Sequence, residues 1–285
     1  ISDFWTDFSA NKIALISLLI FFAIVFVAVF APIVSPTNPY DLSSVDIMDS
    51  RLPPGSTNYS GQIFLLGTDG AGRDMLSSIF YGLRVSLGVG ALSGVIALTI
   101  GSFFGVSAAF FRGKYETIVM RIVDIQLSFP SILVALIIIA AFGKGIEKTM
   151  IALILVQWAY YARTARASAL VEMNKEYIDA ARCLAFGNTR IMFKHILPNC
   201  LAPLIVVGTL QTAHAISLEA TLSFLGLGLP VTEPSLGLLI GNGFEYMYSG
   251  DFWISIFPGV ALLITVGSIN LVGDHLRDMF NPRLH

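Results

Sequence analysis

Six apolar runs, at about 13–32, 85–111, 118–142, 149–161, 199–222 and 252–272, leave this chain few folds to choose from. All but the fourth approach the ~20 residues that a helix needs to cross ~30 Å of hydrocarbon. In a bilayer every backbone N–H and C=O must find a partner within the protein, so runs of this length are expected as helices. The fold class predicted is all-α: a polytopic integral membrane protein with six transmembrane helices. Composition agrees, since 13% of the 285 residues are charged, where a soluble domain carries about a quarter. The first run is full length and shows no small-residue cleavage site, so it reads as a span and not as a cleavable signal, although the chain starts at Ile1 and not at Met.

The chain divides into 1–34 with the first span, an extramembrane segment 35–82, and a core 83–285 that holds five spans and a loop at 163–198. Phe4, Trp5 and Phe8 are placed to anchor at the interface. Residues 35–78 are rich in Pro and Gly and acidic, with Asp41, Asp46, Asp49, Asp69 and Asp74 against Arg51 and Arg73. Twelve of the 17 Lys and Arg residues fall on one side: Lys12, Arg112, Lys114, Arg121, Arg163, Arg166, Lys175, Arg182, Arg190, Lys194, Arg277 and Arg283. The loop 223–251 has none and carries Glu233, Glu245 and Asp251. This bias puts both termini and the 163–198 loop in the cytoplasm and the acidic first loop outside; Lys144 and Lys148 run weakly against it. A net charge of −2 gives no reason to expect nucleic acid as a partner. Cys183 and Cys200, in or beside the cytoplasmic loop, are expected as thiols and not as a disulfide.

Residues 175–203 form the longest charged interruption in the apolar second half and read as a helix–turn–helix. Helix formers run from Glu172 through Glu176, Tyr177, Asp179 and Ala180 to Ala185, and Gly187 is the expected left-handed end. Asn188 is placed to cap a second helix, which Pro198 would stop. Ala180 and Ala181 are expected to leave a shallow surface for another protein, rimmed by Asp179, Arg182, Arg190 and Lys194. The flanking spans make a DNA-reading role improbable.

Polar groups inside spans are costly and point to a pathway. Candidates are Gln126, Gln157, Gln211, His214 and Glu219. Bonding between helices competes for the glutamines, and a gate or an ion-paired strut is the expectation for Glu219. Asp124, three residues after Arg121, reads as half of a helical ion pair, and Pro130 is expected to kink the third run. Gly90, Gly94, Ala97, Gly101, Gly105 and Ala108 form one small-residue stripe, suited either to a seam with a second subunit or to packing within the chain. No catalytic residues and no metal ligands are assigned. The 67–74 stretch lacks the Gly-Lys-Ser/Thr ending of a phosphate loop, so Asp74 reads as the cap of a short interfacial helix. An ion-coupled carrier would call for more intramembrane carboxylates, and an intramembrane hydrolase for motifs absent here.

The 175–203 loop resembles the cytoplasmic loop of ATP-binding-cassette (ABC) importer membrane subunits. That pattern, Glu-Ala-Ala, a glycine four residues on, then Ile-x-Leu-Pro, stands here as Asp179-Ala180-Ala181, Ala185, and His195-Ile196-Leu197-Pro198. Further stretches resemble the C-type permeases of dipeptide, oligopeptide and nickel importers. They include Leu66-Gly67-Thr68-Asp69 with Gly72-Arg73-Asp74, Phe129-Pro130, the run from Leu218-Glu219-Ala220 to Gly228, Asn270-Leu271 with Gly273-Asp274, and Pro282-Arg283-Leu284. The resemblance implies a type I importer permease in a bacterial or archaeal cytoplasmic membrane. Its partners would be a homologous second permease, two ATP-binding subunits, an extracytoplasmic solute-binding protein and membrane lipid. No cofactor would sit on this chain, because ATP and Mg²⁺ belong to the ATPases. The loop residues implied in coupling are Glu176, Tyr177, Asp179, Ala180, Ala181, Arg182, Leu184, Ala185, Phe186, Gly187, Leu197 and Pro198.

Overall fold

The computed structural model describes residues 2–41, 45–230 and 232–280. Two N-terminal helices, the short α1 (Ser2–Ala10) and the 18-residue α2 (Lys12–Val29), meet at Asn11, whose side chain accepts from the Ile13 and Ala14 amides at 3.0 and 3.2 Å. Of the proposed anchors, Trp5 is exposed, but Phe8 is buried edge-on against His275. The Phe4 side chain and the Pro282-Arg283-Leu284 motif lie outside what is described. The polar segment that follows folds around a two-residue hairpin, Ser56–Thr57 with Ile63–Phe64.

Asp74 then caps α3 (Met75–Phe111), accepting from the Ser77 amide at 2.8 Å. The short interfacial helix expected there is thus the first part of a 37-residue helix, about 55 Å long at 1.5 Å per residue. Next come α4 (Gly113–Leu127) and α5 (Ser131–Phe142), bent against each other by 93°. Pro130 has no N–H to continue α4, and Ser128 Oγ caps the break by donating to the Asp124 carbonyl at 2.7 Å. The fourth run is not short: α6 (Ile146–Glu172) has 27 residues and extends far beyond 161. A knuckle holding α7 (Glu176–Cys183) leads into α8 (Leu201–Phe224). The stretch read as a plain loop after it contains α9 (Leu236–Phe244), capped by Ser235, before α10 (Trp253–Met279) closes the fold.

Among the described residues, α2, α3, α8 and α10 are long and apolar enough to cross a bilayer, and the bent α4–α5 pair meets the same test only when its two helices are taken together. The remaining expected span, the fourth, is α6, which has the length but carries Glu147, Lys148, Arg163, Arg166 and Glu172.

The small-residue stripe of α3 packs inside the chain, not at an open seam. A Cβ at Gly101 would stand 2.5 Å from the Trp158 carbonyl, and one at Gly105 2.4 Å from that of Ala162. Facing them on α6 is a second stripe, Ala162, Ala165 and Ala169, each fully buried. Small residues on both sides let the two backbones touch, which is how helices gain contact where lipid offers no hydrophobic drive.

Candidate functional site

The knuckle between α6 and α8 is built on an amphipathic helix. Ile178 and Ala181, three apart, share its inner face and are buried at 0% and 4% exposure. Asp179, Ala180 and Arg182 face outward. The expectation that Ala180 and Ala181 form one outer surface is therefore half wrong: Ala181 packs into the bundle and Ala180 alone is presented. Ile178 and Ala181 join Tyr161, Ala165 and Ala169 of α6, Ala97 and Val106 of α3, and Leu204 of α8 in one apolar cluster. The handle is thus continuous with the core between the long helices.

The turn after α7 differs from the expectation. Ala185, not Gly187, is the left-handed residue, at φ 56°, and Gly187 is extended at φ −62°. The Phe186 amide donates to the Ala181 carbonyl at 3.2 Å and the Ala185 amide to that of Arg182 at 2.9 Å. This is the double bond of a Schellman cap, standing where the family's pattern has its glycine. Gly187 in turn occupies the cap position given to Asn188. Pro198 does not end the second helix: a π-helical turn, Ile191–Ile196, precedes it and absorbs the missing donor, and helix resumes through Leu197–Asn199 into α8.

A polar network locks the base of the knuckle. Glu172 accepts from Lys175 Nζ and from Tyr177 Oη, each at 2.6 Å. Asn199 Nδ2 donates to Tyr177 Oη at 3.2 Å and to the His195 carbonyl at 2.7 Å. Burial, together with the Glu172 carboxylate it donates to, pushes the Tyr177 hydroxyl up to about 12. Burial, helped by the same carboxylate, pushes the Cys200 thiol up to about 11, and both cysteines are free. His195 stacks on Phe186 with ring centroids 5.7 Å apart, and Arg190 covers Phe186 from 4.0 Å. Sequence reasoning missed this three-layer stack and the Glu172–Tyr177–Asn199 tie, which join residues from separate elements. Arg182 pairs with Asp179 at 3.4 Å on the open face, and Leu184 is exposed beside it.

The pathway candidates are not gathered on one surface. Gln126 donates to the Leu155 and Val156 carbonyls and accepts from Trp158 Nε1 at 2.8 Å, which ties the α4–α5 bend to α6. Gln157 is fully buried. Gln211 is half-buried, and His214, one turn on, is exposed with Nε2 3.3 Å from Ser131 Oγ. Glu219 is buried at 0% exposure and, among the described residues, takes part in no ion pair. Its carboxylate accepts from Ser86 at 2.8 Å, from Ser223 at 2.7 Å and from Ser235. It is a strut between α3, α8 and the start of α9, held by hydroxyls and not by an ion pair. Asp124 pairs with Arg163 of α6 at 2.6 Å in place of Arg121.

A bundle of long helices with a protruding knuckle fused to its core is the architecture of an ABC importer permease. Two solved structures titled as inward-facing conformations of the MetNI methionine ABC transporter share it. They match 73% of this chain and 98% of theirs, with TM-scores of 0.57 and 0.59 at 23% identity. The chain belongs to the binding-protein-dependent transport system inner membrane component family, which it matches over residues 97–285. Residues 1–54 match the N-terminal transmembrane domain of oligopeptide transport permease C. Over all of this chain it is 41% identical to the di/tripeptide transport system permease protein DppC of Pseudomonas aeruginosa, covering 92% of that protein. It is equally similar to the dipeptide transport system permease protein DppC of Escherichia coli K12, covering 93% of it.

Proposed function

We propose that this chain is one half of the membrane pore of an ATP-driven importer of short peptides, coupled to an ATPase through α7. The observation that carries the reading is the continuity of the α7 inner face, Ile178 and Ala181, with the core of α3, α6 and α8. A ligand or partner moves an equilibrium only through contacts that differ between its two states, and a handle must be rigid to transmit them. The outer face of α7, with Glu176, Asp179, Ala180 and Arg182, docks in a groove on one ATP-binding subunit. Two such subunits bind ATP and Mg²⁺, and their closure rocks the bundle between inward- and outward-open states. The chain supplies leverage and passage, with no nucleotide chemistry of its own. A second, homologous permease completes the pore, and an extracytoplasmic binding protein delivers solute to the end bearing the hairpin and α9.

In this reading both termini and the knuckle face the cytoplasm of a bacterial or archaeal cell, with α6 as the fourth span. His214, which is exposed, and Gln211, one turn before it, face the passage. Peptide is favoured over nickel by the names of the relatives. The test is uptake into proteoliposomes by the chain assembled with its partners, comparing labelled di- and oligopeptides with Ni²⁺. ATP-dependent peptide uptake is expected. Uptake driven by a proton gradient without ATP refutes the reading.

A further inference from the structure

Gly94 departs from the stripe it belongs to. A Cβ at Gly90, Gly101 or Gly105 would meet a neighbouring atom at 2.6, 2.5 or 2.4 Å, so close packing demands glycine there. At Gly94 the nearest atoms stand back at 3.4 Å (Thr212 Oγ1), 3.8 Å (Tyr161 Oη) and 3.9 Å (Gln157 Oε1). There is room for a methyl group, yet all three walls are polar oxygens. Gln157 is fully buried, and neither its Oε1 nor its Nε2 has a hydrogen-bond partner among the described residues. Buried side-chain amides are almost always paired, because leaving one unsatisfied forfeits its hydration with nothing in return.

The donors and acceptors around this point do not pair with one another but fit a third party. Thr212 gives its proton to the Gly208 carbonyl at 2.8 Å and keeps lone pairs free. Gln157 Oε1 can only accept, Nε2 can only donate, and the Tyr161 hydroxyl can do either. We propose that the space beside Gly94 is a binding site for one ordered water molecule that joins Gln157 and Tyr161 of α6 to Thr212 of α8. The water donates to Gln157 Oε1 and Thr212 Oγ1 and accepts from Tyr161 Oη or Gln157 Nε2. Buried waters make about three such bonds, whereas cavities that stay dry are lined by apolar groups. None of the three side chains carries a negative charge, so a metal cation finds no counter-charge here. The water acts by positioning: it pins α6, whose far end carries the knuckle, to α8 in mid-bundle, beside Gly94 of α3. It is independent of which solute the importer carries.

The test uses the full chain assembled with its partner subunits in lipid nanodiscs. In a density map that resolves other buried waters, a peak is expected within hydrogen-bonding distance of Gln157, Tyr161 and Thr212. Gly94→Ala displaces the water without replacing its bonds and is expected to lower the melting midpoint by about 2–4 °C. Gly94→Ser puts a hydroxyl in the same place and is expected to restore it. In a Gln157→Leu background the alanine is expected to have no further effect. An empty site with Gln157 bonded to a protein atom overturns the proposal. So does a peak with the short contacts of a cation, or equal loss from alanine and serine.

Discussion

Ile178→Ala strikes the join between the knuckle and the bundle without touching the outer face of α7. The Ile178 side chain is fully buried in the cluster shared by α3, α6, α7 and α8. Truncating such a side chain costs about 2–5 kcal/mol, transfer and cavity terms together. An eight-residue helix has nothing in reserve, since isolated helices below ~12–15 residues are marginal in water. What remains to hold it is the packing of Ala181 and the Tyr177–Glu172 bond, a hydrogen bond to a charged group and thus about 1.5–3 kcal/mol. A loss near 3 kcal/mol shifts the local opening equilibrium roughly 100-fold. Amide hydrogen exchange in nanodiscs reads that opening directly. Protection over residues 176–184 is expected to fall about 100-fold while α3 and α8 keep theirs. In the assembled importer, peptide uptake should drop with ATP hydrolysis still running. Unchanged exchange over α7, or an equal loss across all the long helices, would refute the idea of a local joint.

Ala180→Arg, on the exposed face, should leave exchange protection intact and abolish copurification of the ATP-binding subunit. Ala181→Arg should instead disrupt the knuckle itself, seen as lost protection over residues 176–200, because its side chain would enter the core. Ala185→Gly relieves a left-handed alanine and should stabilise the knuckle by about 1 kcal/mol, read as slower exchange. Glu219→Gln should fold nearly as well as the parent protein, whereas Glu219→Leu strands the Ser86, Ser223 and Ser235 hydroxyls and should lower the melting temperature by several degrees, at about 1–3 kcal/mol per unpaired group. Gly105→Val should prevent α3 and α6 from closing, with loss of folded protein on detergent size exclusion.

The apolar runs gave away most of the helices because their signal is local: a stretch is long and greasy or it is not. Pro130 gave away the break for the same reason, though nothing in the run sets its size at 93°. The inward turn of Ala181 was readable from its spacing of three from Ile178, but the motif drew the eye to both alanines as a pair. Ala185 could not be read as left-handed, since alanine disfavours that conformation and only its surroundings impose it. The helix α9 was hidden by its nine residues and three glycines, and the full length of α6 by its charges. Glu219 was legible as a buried carboxylate, but its partners lie 133 residues upstream at Ser86 and beyond the next turn at Ser235. Such pairings belong to the fold and not to any window of sequence.

The right-angled break at Phe129–Pro130 bears on where this molecule can flex. From mid-bundle to the inner face of α7, one apolar cluster joins the knuckle to α3, α6 and α8. A push on the knuckle, in the proposed reading, would enter the bundle through that cluster, as by a crank welded to its shaft. The elbow between α4 and α5 lies outside that cluster and is steadied by Gln126 against the α6 backbone.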